Sequence, residues 1–180
     1  MHTEYEAKVL DIDPQATALA IIARGGRRTA DTIMLRRYVY DIVPGDTSRW
    51  IRLRDNEFGS SLTVKEIRHD GIDGTDEVEV EVSSFETMND LLGRLGFVAR
   101  NYQENRRTSF ELDGAQLEID EWPMIPPYLE IEAQRRDEVV RIAQLLGYGE
   151  DQLTGENTVK VYARHGIDLL SLGRVCFSDS

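Results

Sequence analysis

Polar and apolar residues alternate with period two along much of this chain. Glu4-Tyr5-Glu6-Ala7-Lys8-Val9-Leu10 has that pattern and predicts a strand. Asp13-Pro14 supplies an N-cap and a first helical residue. The helix that follows carries Leu19, Ile22 and Ala23 on one face and stops at Gly25-Gly26. Ile33–Tyr40 predicts a strand and Pro44-Gly45-Asp46 a turn. Trp50–Arg54 and Leu62–Ile67 predict a hairpin around Asn56 and Gly59, and Glu77–Val82 is a strict alternation. Ser84 caps a helix bearing Met88, Leu91, Leu92 and Leu95, closed by Gly96. Gln103–Leu112 and Gln116–Glu121 flank Asp113-Gly114, a hairpin signal. Tyr128–Ala133 is a further strand, followed by a helix with Val139, Ile142, Ala143 and Leu146 that ends at Gly147. A short strand at Val159–Tyr162 and a final helix near Ile167–Leu172 complete the series.

Strands outnumber helices and follow one another through turns, which is the pattern of an α+β fold with an antiparallel sheet. About eight strands are enough to close a barrel. No repeat, low-complexity tract or linker interrupts the chain, so residues 1–180 read as one domain.

The strands share one peculiarity. One face is aliphatic, and the other is dense in charge of both signs. Glu4, Glu6 and Lys8 oppose Tyr5, Ala7 and Val9; Arg52 and Arg54 oppose Ile51 and Leu53. Thr63 and Lys65 oppose Leu62 and Val64, and Glu77, Glu79 and Glu81 oppose Val78, Val80 and Val82. Arg107, Glu118, Asp120, Glu130 and Glu132 continue the charged face on later strands. For one strand, a solvated face explains this. Seven strands rich in glutamate and arginine point instead to a charged tunnel, with the aliphatic faces packed under the helices. Charge buried in this way must be paired or ligated. Glutamates at i and i+2 lie about 6.8 Å apart and can turn toward one cation. Their hard oxygens suit Mg²⁺ or Mn²⁺. Arg52, Arg54, Lys65 and Arg107 supply the forks and point charges that hold phosphate oxygens.

Composition narrows the function classes. The 180 residues carry 21 basic and 33 acidic side chains, a net charge of −12, which argues against nucleic acid or an anionic membrane as partner. Eighteen of the basic residues are arginine. No apolar run reaches the roughly 20 residues that span a bilayer, and Glu4 and Glu6 leave no room for a signal peptide. The single cysteine, Cys176, fits a cytoplasmic location and makes no nucleophile–histidine pair. His2, His69 and His165 are scattered and give no zinc motif, and a P-loop motif is absent. Pro123-Met-Ile-Pro126 reads as a rigid connector; Trp50 and Trp122 read as structural.

Glu4-x-Glu6-x-Lys8 on the first strand matches the E-x-E-x-K signature of the CYTH family, the triphosphate tunnel metalloenzymes. Trp50-Ile-Arg52-Leu-Arg54, Thr63-Val-Lys65, Glu77-Val-Glu79-Val-Glu81, Arg106-Arg107, Glu118-Ile-Asp120 and Leu129-Glu130-Ile-Glu132 follow in the family's order. The chain therefore resembles this family, which contains thiamine triphosphatases, inorganic triphosphatases and class IV adenylate cyclases. The resemblance implies an eight-stranded antiparallel β-barrel tunnel with helices packed outside. It implies metal ligands at Glu4, Glu6, Glu130 and Glu132, with Asp120 and Glu79 as the remaining tunnel acids. Lys8, Arg52, Arg54, Lys65 and Arg107 become the triphosphate clamp, and Lys160 matches a C-terminal tunnel lysine. Glu4, Glu6 and Lys8 form the expected catalytic group. Arg36-Arg37 stand where the family often has an acid, which predicts a local difference in substrate contacts.

Three functions follow. The first is hydrolysis of inorganic, nucleoside or thiamine triphosphate with Mg²⁺ or Mn²⁺. The second is adenylate cyclase chemistry on ATP, and the third is binding of polyphosphate without turnover. The paired glutamates count against the third. The surface leaves room for a homodimer.

Overall fold

Strands whose two faces differ this sharply can close on themselves only by sorting the faces, and this chain does so with its charges inward. The computed structural model describes residues 2–56 and 58–178; the expected domain limits, residues 1 and 180, lie outside them. The strands are β1 (His2–Val9), β2 (Arg27–Asp41), β3 (Arg49–Asn56), β4 (Gly59–Ile67), β5 (Thr75–Val82), β6 (Ala99–Leu112), β7 (Ala115–Glu121) and β8 (Tyr128–Ala133). They pair in the order β6-β2-β3-β4-β5-β1-β8-β7, and β7 pairs back to β6. The result is a closed eight-stranded antiparallel barrel of the α+β class. Two-residue strands extend it: β9 (Leu153–Thr154) on β1, and β10 (Arg174–Val175) parallel to β6.

Four helices pack around the barrel: α1 (Pro14–Ala23), α2 (Phe85–Arg94), α3 (Arg136–Leu146) and α4 (Thr158–Arg164). The hydrophobic core therefore lies outside the barrel wall. Ala7, Leu117, Leu129 and Ile131 on the outer faces of β1, β7 and β8 meet Val139, Ile142 and Ala143 of α3, all fully buried. Leu53 of β3 meets Phe85 and Leu92 of α2 in a second cluster. A third differs: it joins Trp122 and Tyr128, which line the inside of the barrel, to Val161 and Tyr162 of α4. Burial of this kind is the main favourable term in folding.

The local signals act as their chemistry predicts. Ser84 Oγ accepts from the Thr87 amide at 3.2 Å and starts α2. Asp113 and Gly114 turn β6 into β7 with φ of 50° and 84°, the left-handed pair of a tight hairpin. β2 and β6 run longer than the apolar runs predict, because they pair with each other from Arg27↔Glu111 to Tyr40↔Ala99.

Four expectations need correction. α1 buries Thr17 and Ile21, while Leu19 is 71% exposed and Ile22 is also exposed. This helix is apolar almost all round, so periodicity alone does not choose its face. Packing does: Ile21 joins the core cluster of β1, β7, β8 and α3, while Leu19 and Ile22 turn away from it. The Val159–Tyr162 segment is helical, because Asn157 caps α4 by accepting from the Lys160 amide at 3.0 Å. A four-residue apolar run does not reveal its period. The final helix is a 3₁₀ turn, Leu169–Ser171, capped by Asp168. Finally, among the described residues no helix covers Val78 and Val80 on the outer face of β5, and both are exposed.

Among the described residues, no helix is long and apolar enough to cross a membrane.

Ile131→Ala is expected to cost about 2–5 kcal/mol of unfolding free energy, since it opens a cavity under α3. Leu19→Ala is expected to change it by no more than about 0.5 kcal/mol. Denaturant titration of the two variants checks both; equal costs would contradict this packing of α1.

Candidate active site

The inward faces of the strands enclose a cavity of about 340 Å³. Eight carboxylates line it (Glu4, Glu6, Glu77, Glu79, Glu118, Asp120, Glu130, Glu132) together with seven cations (Lys8, Arg37, Arg52, Arg54, Lys65, Arg100, Arg107). Every site residue chosen from the sequence is in that set except Lys160. Because Lys160 sits on a helix, its ammonium turns away and meets Asp70 Oδ1 at 2.7 Å. Asn157, Thr158 and Val159 of the same segment line the cavity instead.

Ion pairs hold the wall together. Lys8 on β1 bonds Glu6 and lies 3.3 Å from Glu130 on β8. Lys65 on β4 reaches both Glu4 oxygens, at 2.8 and 2.7 Å, and Glu77 at 3.3 Å. Arg107 on β6 forks onto Asp120, with Nε to Oδ1 at 2.7 Å and Nη2 to Oδ2 at 2.6 Å, and reaches Glu130 at 3.1 Å. Asp120 is 0% exposed and also accepts from Asn105 Nδ2 at 3.0 Å. Glu79 accepts from Thr63 at 2.6 Å and from Arg52 at 3.3 Å. Asp120 and Glu79 were expected among the metal ligands; in this arrangement their oxygens hold arginines.

The charges divide by wall. In the eight-membered ring, β1 lies four strands from β2, and β8 lies four strands from β3, so these pairs face each other across the tunnel. Glu4, Glu6, Glu130 and Glu132 stand on β1 and β8; Arg37, Arg52 and Arg54 stand on β2 and β3. Like charges even meet within each wall. Glu6 is the direct cross-strand neighbour of Glu132, and Arg37 that of Arg54. Such pairs destabilise a sheet. On the cationic wall, the Nε atoms of Arg37 and Arg52 are buried without a hydrogen-bond partner, and so are Arg100 Nε and Trp122 Nε1.

Protonation follows the same division. Burial first, and then Glu130, Glu6 and Glu4, push the Glu132 carboxyl up to about 7. Burial acts against the Lys8 ammonium, but Glu6 and Glu130 outweigh it and hold its pKa above the usual lysine range. Lys8 and Arg107 likewise outweigh burial and keep Glu130 well below the usual carboxylate range. Arg52 and burial draw Arg54 down to about 10.

Among the described residues, no three carboxylate, histidine or cysteine groups converge on one point, because lysines and Arg107 occupy Glu4, Glu6 and Glu130. The donor set still fits a hard divalent cation. It is all oxygen, it places Glu6 opposite Glu132, and it leaves Glu132 crowded by negative charge.

Sequence reasoning missed Arg37 and Arg100 as cavity residues. Arg37 stands beside Arg36 in Ile33–Tyr40, a segment whose sequence shows no clean charged face. Arg100 enters through a bulge: the pairing of β2 with β6 steps from Val39↔Asn101 to Tyr40↔Ala99, leaving Arg100 unpaired and re-aimed. Period two cannot register such a residue. Trp50 and Trp122 also line the cavity.

The raised Glu132 pKa makes a pH prediction. The folded state holds this proton more tightly than the unfolded chain does. The resulting stability is full below the usual glutamate range and is lost as pH rises through about 7. Metal-free protein should therefore melt at a lower temperature at pH 8 than at pH 5.5, and Glu132→Gln should reduce that difference. Scanning calorimetry across this range checks it, and an unchanged slope in the variant would count against the carboxylate crowding.

Comparisons with known proteins agree with this geometry. A comparison with curated protein sequences gives no match. Among solved structures, a conserved hypothetical protein from Pyrococcus furiosus is similar, with TM-score 0.75 and 20% identity over 88% of this chain and 99% of that one. An adenylate cyclase candidate from Vibrio parahaemolyticus has TM-score 0.75 and 14% identity, covering 90% and 98%. An adenylyl cyclase candidate from Hippeastrum, described as having a dominant triphosphatase activity, has TM-score 0.64 and 16% identity, covering 95% and 99%. At these identities the likeness is one of fold. The CYTH domain profile matches residues 2–153, all eight strands of the barrel and its charged lining, and so the chain belongs to the CYTH domain family.

Proposed function

We propose that this protein is a divalent-metal-dependent triphosphatase that hydrolyses the terminal phosphoanhydride of a small triphosphate in its tunnel. The observation that carries this reading is the facing of a carboxylate wall by an arginine wall whose buried Nε donors lack partners. Buried donors without partners are costly. A multiply charged oxyanion would satisfy them.

In this reading Arg52, Arg54 and Arg107 donate to phosphate oxygens and neutralise charge as it develops. Lys8 on the carboxylate wall and Lys65 on β4 each hold carboxylates and would also reach phosphate oxygens. Asp120 and Glu79 are positioning residues that fix Arg107 and Arg52. Glu6 and Glu132, with Glu4 and Glu130 beside them, would hold Mg²⁺ or Mn²⁺, whose charge would offset that of the phosphate oxygens. Glu4 or Glu6 orients the attacking water and accepts its proton. The water oxygen bonds to the terminal phosphorus, the bridging P–O bond breaks, and the shortened phosphate leaves against the arginines. The net charge of −12 does not oppose this reading, because it sums over surfaces that are separated by strand face.

Incubation with inorganic triphosphate and with ATP, each with Mg²⁺ or Mn²⁺, should release orthophosphate. Cyclic AMP without orthophosphate would overturn hydrolysis in favour of cyclase chemistry. Arg52→Ala should lower kcat/KM by about a hundredfold or more, as loss of a transition-state donor does. Glu6→Ala should abolish turnover while the protein still binds inorganic triphosphate. A Glu6→Ala enzyme that retains its rate would remove Glu6 from the mechanism.

A further inference from the structure

Among the described residues, one buried cation in the tunnel forms no ion pair with a carboxylate. Arg37 points inward from β2 and is 7% exposed. Among the described residues its one hydrogen bond goes to the neutral amide oxygen of Asn105. Its Nε has no partner. Directly across the strand pair stands Arg54, a second guanidinium. Asp120 is near enough to influence Arg37, yet both of its oxygens are taken by Arg107, and Asn105 shares one of them. Burial, with Arg52, Arg54 and Arg107 around it, draws the Arg37 pKa down to about 9.

The surroundings fix Arg37 in place. Its guanidinium lies 4.6 Å from the centre of the Trp122 ring. Trp122 meets Tyr162 of α4 edge-on at 6.2 Å, and the Tyr162 hydroxyl donates to the Pro123 carbonyl at 2.8 Å. Stacking orients the plane of a guanidinium and leaves its edge free to donate. Trp122 Nε1 is also a buried donor without a partner on the cavity lining. As a packing residue on Trp122, an arginine here is a poor choice: an aliphatic side chain or glutamine would fill the space without a desolvated charge facing another arginine.

We infer that Arg37 is a further substrate-binding residue, forming with Arg54 and Trp122 an anion subsite on the β2–β3 wall that holds one phosphoryl group of the substrate. This assignment rests on the triphosphate reading of the tunnel. It gives the unpaired Nε an acceptor and makes the Arg37–Arg54 opposition favourable once the anion lies between them. It also separates two properties that a structural arginine would keep together, since Arg37 costs stability in the empty tunnel and supplies affinity in the filled one.

Calorimetric titration of the full, metal-free chain with inorganic triphosphate, paired with melting of the ligand-free protein, tests this. Arg37→Met should weaken binding by about ten- to hundredfold, as expected for the loss of charge-assisted hydrogen bonds. Its ligand-free melting temperature should equal or exceed that of the unaltered chain. Arg37→Lys, which keeps the charge but loses the planar fork, should bind at an intermediate level. Arg37→Met that binds within twofold of the unaltered chain and melts lower would overturn the assignment and make Arg37 structural. If Arg37→Met does not fold, Arg37→Lys decides: unchanged affinity overturns the assignment, and at least about a threefold loss supports it. Failure of the unaltered chain to bind inorganic triphosphate would instead overturn the triphosphate reading, and the subsite with it.

Discussion

A closed barrel limits the access of its inward side chains to bulk water, so charge placed there must be paired, solvated or ligated. This chain places fifteen acidic and basic residues on that lining. The ladder Glu6–Lys8–Glu130–Arg107–Asp120 runs from β1 through β8 and β6 to β7 and links five of them; further ion pairs join Lys65 to Glu4 and Glu77, and Arg52 and Arg54 to Glu79. The rest of the architecture follows from this constraint. With charge inside, the aliphatic faces must look outward, so the core forms between the barrel and its helices. Leu129 and Ile131 do the work of core residues while Glu130 between them faces the tunnel.

The pairing is incomplete in a patterned way. Among the described residues, Glu132 on one wall and Arg37 on the other form no ion pair, and Arg37 opposes Arg54. The two deficits have opposite sign and stand on facing walls. A bound anion and cation together would relieve both, and charges fixed in advance by folding need little reorganisation when a ligand arrives. The stability given up in the empty tunnel thus becomes binding in the filled one.

Much of this was legible in the residues. Strict alternation in Glu77–Val82 and the period-two pattern of Glu4–Leu10 fixed which side chains share a face, and the Asp113-Gly114 turn fixed how β6 meets β7. Eight strands with charged faces then implied closure. What stayed hidden depends on contacts that sequence spacing does not encode. The apolar helix α1 buries the face that carries Ile21 into the core beside α3. Lys160 left the tunnel because the Asn157 cap made its segment helical. Arg100 joined the lining through a bulge, and Asp120 gave its oxygens to Arg107 because the register sets them directly opposite.

The central claim is that the two walls bind ions of opposite sign in one cavity. A crystal structure of the chain with inorganic triphosphate and Mn²⁺, read through the anomalous signal of manganese, tests it most directly. The account predicts a manganese peak beside Glu6 and Glu132, with phosphate oxygens on Arg52, Arg54 and Arg107. An anion bound outside the barrel, or manganese away from these carboxylates, would contradict it.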